Sequence, residues 1–222
     1  MKTFQVTFNE SPRFRGKGYK KLLEMGFPVC EVGFFDAKLL TGSAAKIFGG
    51  NETSRRILQT LVRNKQNSNS ENFSLAEICC YLGHLAAWNE FLKSGEKRCL
   101  IVEDDAMPLI NCEELERKIE TLPDFDAIQL VQRKGNWFDI GHPHFVKGEP
   151  CGYGLIAYIL SQRGAKALID QQNLKAADLK LMQLSMKGEV YSEKEDSFEH
   201  DWGIKSTIQG IVYPECVKNE TI

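Results

Sequence analysis

The chain has 222 residues, 42% of them hydrophobic and 26% charged, with a formal net charge of -2. That balance suits a soluble globular protein and excludes a global basic field that would advertise nucleic acid or anionic lipid as partner. No apolar run approaches the ~20 residues that a membrane-spanning helix needs.

Phe4, Val6 and Phe8 alternate with polar residues, which predicts a strand over 3–8 and not the apolar core of a signal peptide. After the Asn9-Glu-Ser-Pro12 turn, a basic stretch from Arg13 to Met25 reads as a helix closed by Gly26. Val29 to Phe35 reads as a second strand, so strand and helix alternate as in βαβ units. Residues 42–72 are less regular: a helical piece over 52–63 is followed by a polar loop over 64–72. Ser74-Leu-Ala-Glu77 has the spacing of a capping box and opens a long helix that ends near Gly95. The apolar run Cys99 to Val102 reads as a buried strand, and Glu103, Asp104 and Asp105 follow it at once. Pro108 is expected to stop regular pairing there. Further on, the pattern predicts a helix over 111–122 and a strand over 125–131. A loop over 132–150 holds Trp137, His142 and His144. A central strand follows over 152–160, then a helix capped by Ser161 and a helix over 175–186. Strands over 189–192 and 208–213 flank an acidic, polar segment. No repeat or linker is evident, which predicts one domain over 1–222. Seven cysteines with neither a C-x-x-C pair nor zinc spacing predict reduced thiols and a cytoplasmic setting.

The three acids give the sequence its chemistry. Carboxylates crowded at the end of a buried strand repel one another and are costly to desolvate. A divalent cation relieves both costs, and hard oxygen donors suit Mg²⁺ or Mn²⁺. In open α/β sheets, ligands bind at the carboxyl ends of strands. Taken alone, the tripeptide also fits a solvated acidic turn.

Two segments in order and register resemble glycosyltransferase family 25, the lipooligosaccharide-biosynthesis family that includes the collagen galactosyltransferases. In Ser74-Leu-Ala-Glu-Ile-Cys-Cys-Tyr-Leu-Gly-His-Leu-Ala-Ala-Trp88, residues Glu77, Cys80, His84 and Trp88 match the family pattern. Ala76 and Gly83 depart from it, standing where the family has Gly and Ser. Leu100-Ile-Val-Glu-Asp-Asp-Ala106 is similar to the family's Leu-Ile-Leu-Glu-Asp-Asp. Weaker likenesses lie at Arg13 and Arg15, at Phe35-Asp-Ala37, along Tyr153 to Leu168, and at Asp178. The resemblance implies an α/β fold of the GT-A type with a mostly parallel central sheet, a nucleotide-sugar donor, a divalent metal and usually inversion at the anomeric carbon.

It also implies roles. Asp105 and Asp104 would organise Mn²⁺ or Mg²⁺ around the diphosphate of a UDP-sugar, with His200 as a further metal ligand. Glu103 and Asp104 would face the donor, and Arg13 and Arg15 would bind its diphosphate. Asp178 would be the general base, and Glu77 and His84 would shape the site from one face of the long helix. Each has a plainer alternative: Glu77 as the capping-box partner, His84 as a structural histidine, Trp88 as packing, and Asp178, His200 and both arginines as solvated groups. The expected activity is transfer of a hexose, galactose or glucose, to a hydroxyl acceptor in surface glycan or lipooligosaccharide. Two other readings keep the fold: glycosylation of a hydroxylated DNA base, and a catalytically silent binding module. A metal-dependent nucleotidyltransferase would also use clustered acids, but no Gly-rich phosphate loop is present.

Overall fold

A computed structural model describes residues 1–7, 15–33, 75–122, 124–131, 135–150, 155–171 and 177–201; the side chains of 33, 75–79, 150 and 177–179 fall outside that description. The expected α/β architecture with a large central sheet is present. The first strands are β1 (Lys2–Thr7), β2 (Val29–Gly33), β3 (Arg98–Glu103), β4 (Ala106–Pro108) and β5 (Ala127–Gln129). They are followed by β6 (Gly135–Asp139), β7 (Phe145–Pro150), β8 (Ala157–Ser161), β9 (Val190–Glu193) and β10 (Phe198–His200). The helices are α1 (Lys17–Glu24), α2 (Leu75–Ser94), α3 (Cys112–Glu120), α4 (Gln162–Asp170) and α5 (Ala177–Ser185).

The main sheet runs β2-β1-β3-β8-β5-β9-β7-β6, and β10 and β4 form a second, two-stranded sheet. Its ladders are mixed. β1 is parallel to β2 and β3, and β5 is parallel to β9. β8 runs antiparallel to both β3 and β5, and β7 antiparallel to both β6 and β9. Three of the seven ladders are parallel, so the sheet is mixed and not mostly parallel: β8 enters its middle from the opposite end, and β7 breaks the parallel order again beyond β9.

Strand β3 is buried on both faces: Cys99, Leu100, Ile101 and Val102 are shut off from water. Each such Leu, Ile or Val contributes about 1.5–3 kcal/mol by leaving water. Cys99 and Ile101 face a core shared with α2, α4 and α5, where Trp88, Phe91 and Leu168 also sit. Leu100 and Val102 face the other core, built with α1 and α3 around Leu22, Leu115 and Ile119. The polar members of β1 (Thr3, Gln5 and Thr7) are buried too, because β1 is an interior strand between β2 and β3.

Helix ends follow the sequence signals. Gly26 and Gly95, with φ of 79° and 73°, close α1 and α2 in the left-handed conformation that glycine adopts without strain. The side chain of Ser161 accepts a hydrogen bond from the Gly164 amide and caps α4; Asn111 accepts from Glu114 and caps α3.

Three differences from the sequence reading have physical causes. Residues 135–150, expected as loop, form the β6–β7 hairpin; its outer strand is mostly exposed, so no buried face imposes an alternating pattern. Pro108 was expected to end pairing, yet it lies in β4 opposite Phe198 at a strand end. The short β10 lies in the acidic segment, and of its three residues only Phe198 is apolar and buried. The expected elements over 52–63, 64–72 and 208–213 lie outside the described residues.

The first turn of α1 lies against the acidic loop after β3. A Cβ on Gly18 would stand 2.6 Å from the Ala106 carbonyl oxygen and 3.4 Å from that of Asp104. We expect Gly18→Ala to destabilise the protein by about 1–3 kcal/mol through overpacking. Urea denaturation measures it, and an unchanged midpoint would show that the contact yields without cost.

Candidate active site

Three consecutive carboxylates leave the carboxyl end of β3, and each meets a partner from a different element. Glu103 continues the strand, its amide donating to the Ile156 carbonyl at 2.8 Å. By alternation its side chain shares the face of Ile101, toward α2. There its Oε1 lies 3.1 Å from His84 Nε2. Asp104 turns to the end of β1, where Thr7 Oγ1 donates to its Oδ2 at 3.4 Å. Asp105 is buried, 6% exposed, with Oδ2 3.1 Å from His200 Nε2.

The second sheet makes that last pairing possible. His200 stands opposite Ala106 in the β10–β4 ladder, and the Asp201 amide donates to the Asp105 carbonyl at 2.8 Å. The ladder fixes the backbone on both sides of the pair. β1 leads on to β2 at one side while β3 leads on, through β4 and α3, to β5 at the other, so the acids at the end of β3 stand at the switch point between β1 and β3. That is where an open α/β sheet leaves a crevice for ligands.

Of the expected metal set, Asp105 and His200 come together across two strands far apart in sequence, and Asp104 is the adjoining residue. Carboxylate oxygens with one imidazole are a donor set that fits Mn²⁺ or Mg²⁺. Burial of Asp105 adds to the fit, since a buried carboxylate requires a partner that shares its charge.

His84 is fully buried on α2. Its Nδ1 is 2.9 Å from Tyr158 Oη, and Trp88 Nε1 donates to the same oxygen at 2.8 Å. Burial holds the Tyr158 phenol well above its ordinary pKa, so it stays neutral. Trp88 is thus both packing and hydrogen-bond donor, one turn beyond His84. Tyr158 was missed as a participant: its apolar strand reads as core, and only the pairing of β8 with β3 brings its hydroxyl to α2.

Arg15 stands just before α1, exposed, with Nε 3.0 Å from Glu31 Oε1 on β2. Lys17, Lys20 and Lys21 of α1, with Met25, Met107 and Glu199, line a cleft of about 530 Å³ between that helix and the β4–β10 ladder. Arg13 lies outside the described residues, as do the side chains of Glu77 and Asp178. The backbone of Asp178 is in the first turn of α5. This helix is anchored by Lys180, whose buried ammonium donates to the Leu168 and Gln171 carbonyls at 3.3 and 2.7 Å and lies 5.0 Å from the centre of the Tyr81 ring. Burial lowers the Lys180 pKa to about 8.

The turn that leads to His200 is held by Glu193. This residue is 1% exposed and accepts from Ser197 Oγ at 2.6 Å and the Ser197 amide at 2.9 Å, with Lys118 Nζ at 3.6 Å. Burial pushes its carboxyl up to about 7. The folded state therefore holds this proton more tightly than the unfolded chain. The stabilisation that follows is complete below about pH 4.5 and is lost as pH rises to about 7. We expect this group to lower the thermal midpoint between pH 5 and pH 8, and Glu193→Gln to flatten that part of the profile. An unaltered slope in the variant would contradict the assignment.

Comparison with known proteins bears on this site. A family model described as "Glycosyltransferase family 25 (LPS biosynthesis protein)" matches residues 29–150, which include α2, β3 and the three acids. A bovine (Bos taurus) protein named "Probable inactive glycosyltransferase 25 family member 3" is 25% identical over 182 residues, covering 78% of this chain. The chain spans only 29% of that relative's length. Among solved structures, A197 from STIV aligns with a TM-score of 0.45 at 12% identity, over 90% of this chain and 84% of that one. A UDP-glucose pyrophosphorylase complexed with UDP-glucose aligns with a TM-score of 0.47 at 10% identity, over 92% and 94%.

Proposed function

The chain belongs to glycosyltransferase family 25, and on that premise we propose that it is a metal-dependent hexosyltransferase. Its donor would be a UDP-sugar, galactose or glucose favoured, and its acceptor a hydroxyl of surface glycan or lipooligosaccharide. Transfer would invert the anomeric carbon, within a single cytoplasmic domain. The observation that carries this reading is the Asp105–His200 pair, 3.1 Å apart beside Asp104 at the switch point of the sheet.

Asp104, Asp105 and His200 would hold Mn²⁺ or Mg²⁺. When bound, the ion supplies positive charge for the leaving nucleoside diphosphate. The remaining work falls to the chain. Arg13 and Arg15, with the lysines of α1, would add positive charge toward the diphosphate. Asp178 would take the acceptor proton as the hydroxyl oxygen attacks the anomeric carbon and the bond from that carbon to the diphosphate oxygen breaks. The proton ends on the Asp178 carboxylate, and the electron pair of the broken bond leaves with UDP. Glu77 and His84 would shape the site from α2, His84 by orienting Glu103. The closed ladder of β10 on β4 supports the metal assignment, because it holds His200 where a donor atom is needed.

A silent module on the same fold is favoured by one observation, the inactive designation of the bovine relative. Incubation with a panel of nucleotide sugars and Mn²⁺, read as slow donor hydrolysis, separates the two readings. Hydrolysis of a UDP-hexose supports the enzyme; binding without hydrolysis or transfer supports the module. Asp105→Asn keeps the size but removes the charge, and turnover should fall on the order of 10²-fold or more. Full activity of that variant in EDTA would end the metal proposal. Asp178→Asn should retain UDP binding by calorimetry and lose transfer by roughly 10²–10⁴-fold. Lost UDP affinity with unchanged turnover would instead make Asp178 a donor ligand.

A further inference from the structure

On the interior side of the acidic tripeptide, Cys80 and His84 of α2 and Glu103 of β3 present ligand atoms that all lie within 4.8 Å of one another. We propose that these three residues form a second cation site, for a borderline divalent ion such as Zn²⁺, distinct from the Asp104, Asp105 and His200 set. The site shares His84 and Glu103 with the transferase reading, but its ligand Cys80 has no part in that reading.

Local geometry brings the ligands together. Cys80 and His84 are four apart on a helix, so they share a face one turn from each other. Glu103 is the last residue of β3, and strand alternation turns it to that same helix. Tetrahedral bonds of 2.0–2.3 Å place ligand atoms about 3.3–3.8 Å apart. His84 Nε2 and Glu103 Oε1, 3.1 Å apart, already stand near that spacing, so only the Cys80 thiol has to close, by about 1 Å at most, within the reach of side-chain rotation.

The chemistry selects the ion. A thiolate disfavours Mg²⁺ and Mn²⁺, while sulfur, imidazole nitrogen and carboxylate oxygen together suit Zn²⁺. Charge balances as well: one thiolate and one carboxylate neutralise a divalent ion, so the assembly is neutral where His84 is wholly buried and Cys80 and Glu103 are half-buried. With three protein ligands, the fourth tetrahedral position falls to water.

The hydrogen bonds around His84 accommodate the tautomer that ligation requires. Trp88 can only donate, so Tyr158 Oη accepts from it. A phenol oxygen accepts twice, which leaves room for His84 Nδ1–H at 2.9 Å. In that tautomer Nε2 turns a lone pair toward Cys80 and Glu103, the arrangement in which a second partner fixes a ligating histidine. In the other tautomer Nε2–H donates to Glu103 Oε1 at 3.1 Å and Nδ1 accepts from the Tyr158 hydroxyl. Binding selects the Nδ1–H tautomer and releases the Cys80 thiol proton to solvent.

Titration of the metal-free full chain with Co²⁺ in reducing buffer tests the site directly. We expect one equivalent to produce a thiolate-to-cobalt charge-transfer band, bleached when Zn²⁺ displaces the cobalt. Cys80→Ser and Cys80→Ala should abolish the band while circular dichroism stays native, and Cys79→Ser should keep it. Tyr158→Phe should weaken Co²⁺ binding about 10–100-fold, as loss of an outer partner does. Asp105→Asn should leave the band intact, which separates this result from any failure of the transferase reading. No band in the folded wild-type chain, or a band that survives both Cys80 substitutions, would overturn the proposal.

Discussion

A carboxylate leaves water only if another group shares its charge, and this chain places three in a row at the end of a strand buried on both faces. Each acid is answered from a different direction: His84 from the long helix, Thr7 from the neighbouring parallel strand, His200 from the small second sheet. Helix α2, β1 and the β4–β10 ladder have to be where they are for these contacts to exist. The sharp turn of side-chain direction along Glu103, Asp104 and Asp105 follows from the strand ending there. Alternation sends the first inward, and the turn sends the next two toward the open end.

The same constraint shapes the packing around the acids. Gly18 admits α1 against the carbonyls of the acidic loop, so the loop has a backbone wall as well as side-chain partners. On the other face of the sheet, Lys180 satisfies carbonyls at the end of α4 and lies over Tyr81 of α2, tying three helices together. A buried ammonium is an expensive tie, and the depressed pKa of Lys180 reflects the desolvation. The helix that carries Asp178 is held by that tie two residues further on.

What could be read in the sequence was local. Cys99 to Val102 is a run with no polar break, so its burial was legible, and so was the acidic cluster it delivers. Ser161 and Gly95 announced helix ends because capping depends on a few neighbouring atoms. Family likeness carried Glu77, Cys80, His84 and Trp88 as a set, without saying what they touch. The contacts of the site were not legible, since they join distant segments: His200 to Asp105 through a ladder of three residue pairs, and Tyr158 to His84 through a strand that reads only as core. The exposed β6–β7 hairpin was missed for the opposite reason. With the outer strand exposed on both faces, neither its glycine nor its aromatic residues fall into a repeating pattern.

The order of strands in space differs sharply from their order in the chain. β3 is flanked by β1 and β8, and β5 by β8 and β9. Among the described residues, the β6–β7 ladder is the one ladder with both strands inside the stretch matched by the family model. A ribosome making this chain therefore releases β3, with its unbroken apolar run, long before the partner that covers one edge of it. Until residues 157–161 emerge, Cys99 to Val102 has a single parallel neighbour to pair with, and non-local pairing is slow. The nascent chain thus passes through an interval with an open apolar edge, the condition that invites chaperone engagement or misassociation. A fragment trimmed to the matched boundaries would lack β1 as well as β8, so both edges of β3 would stay open.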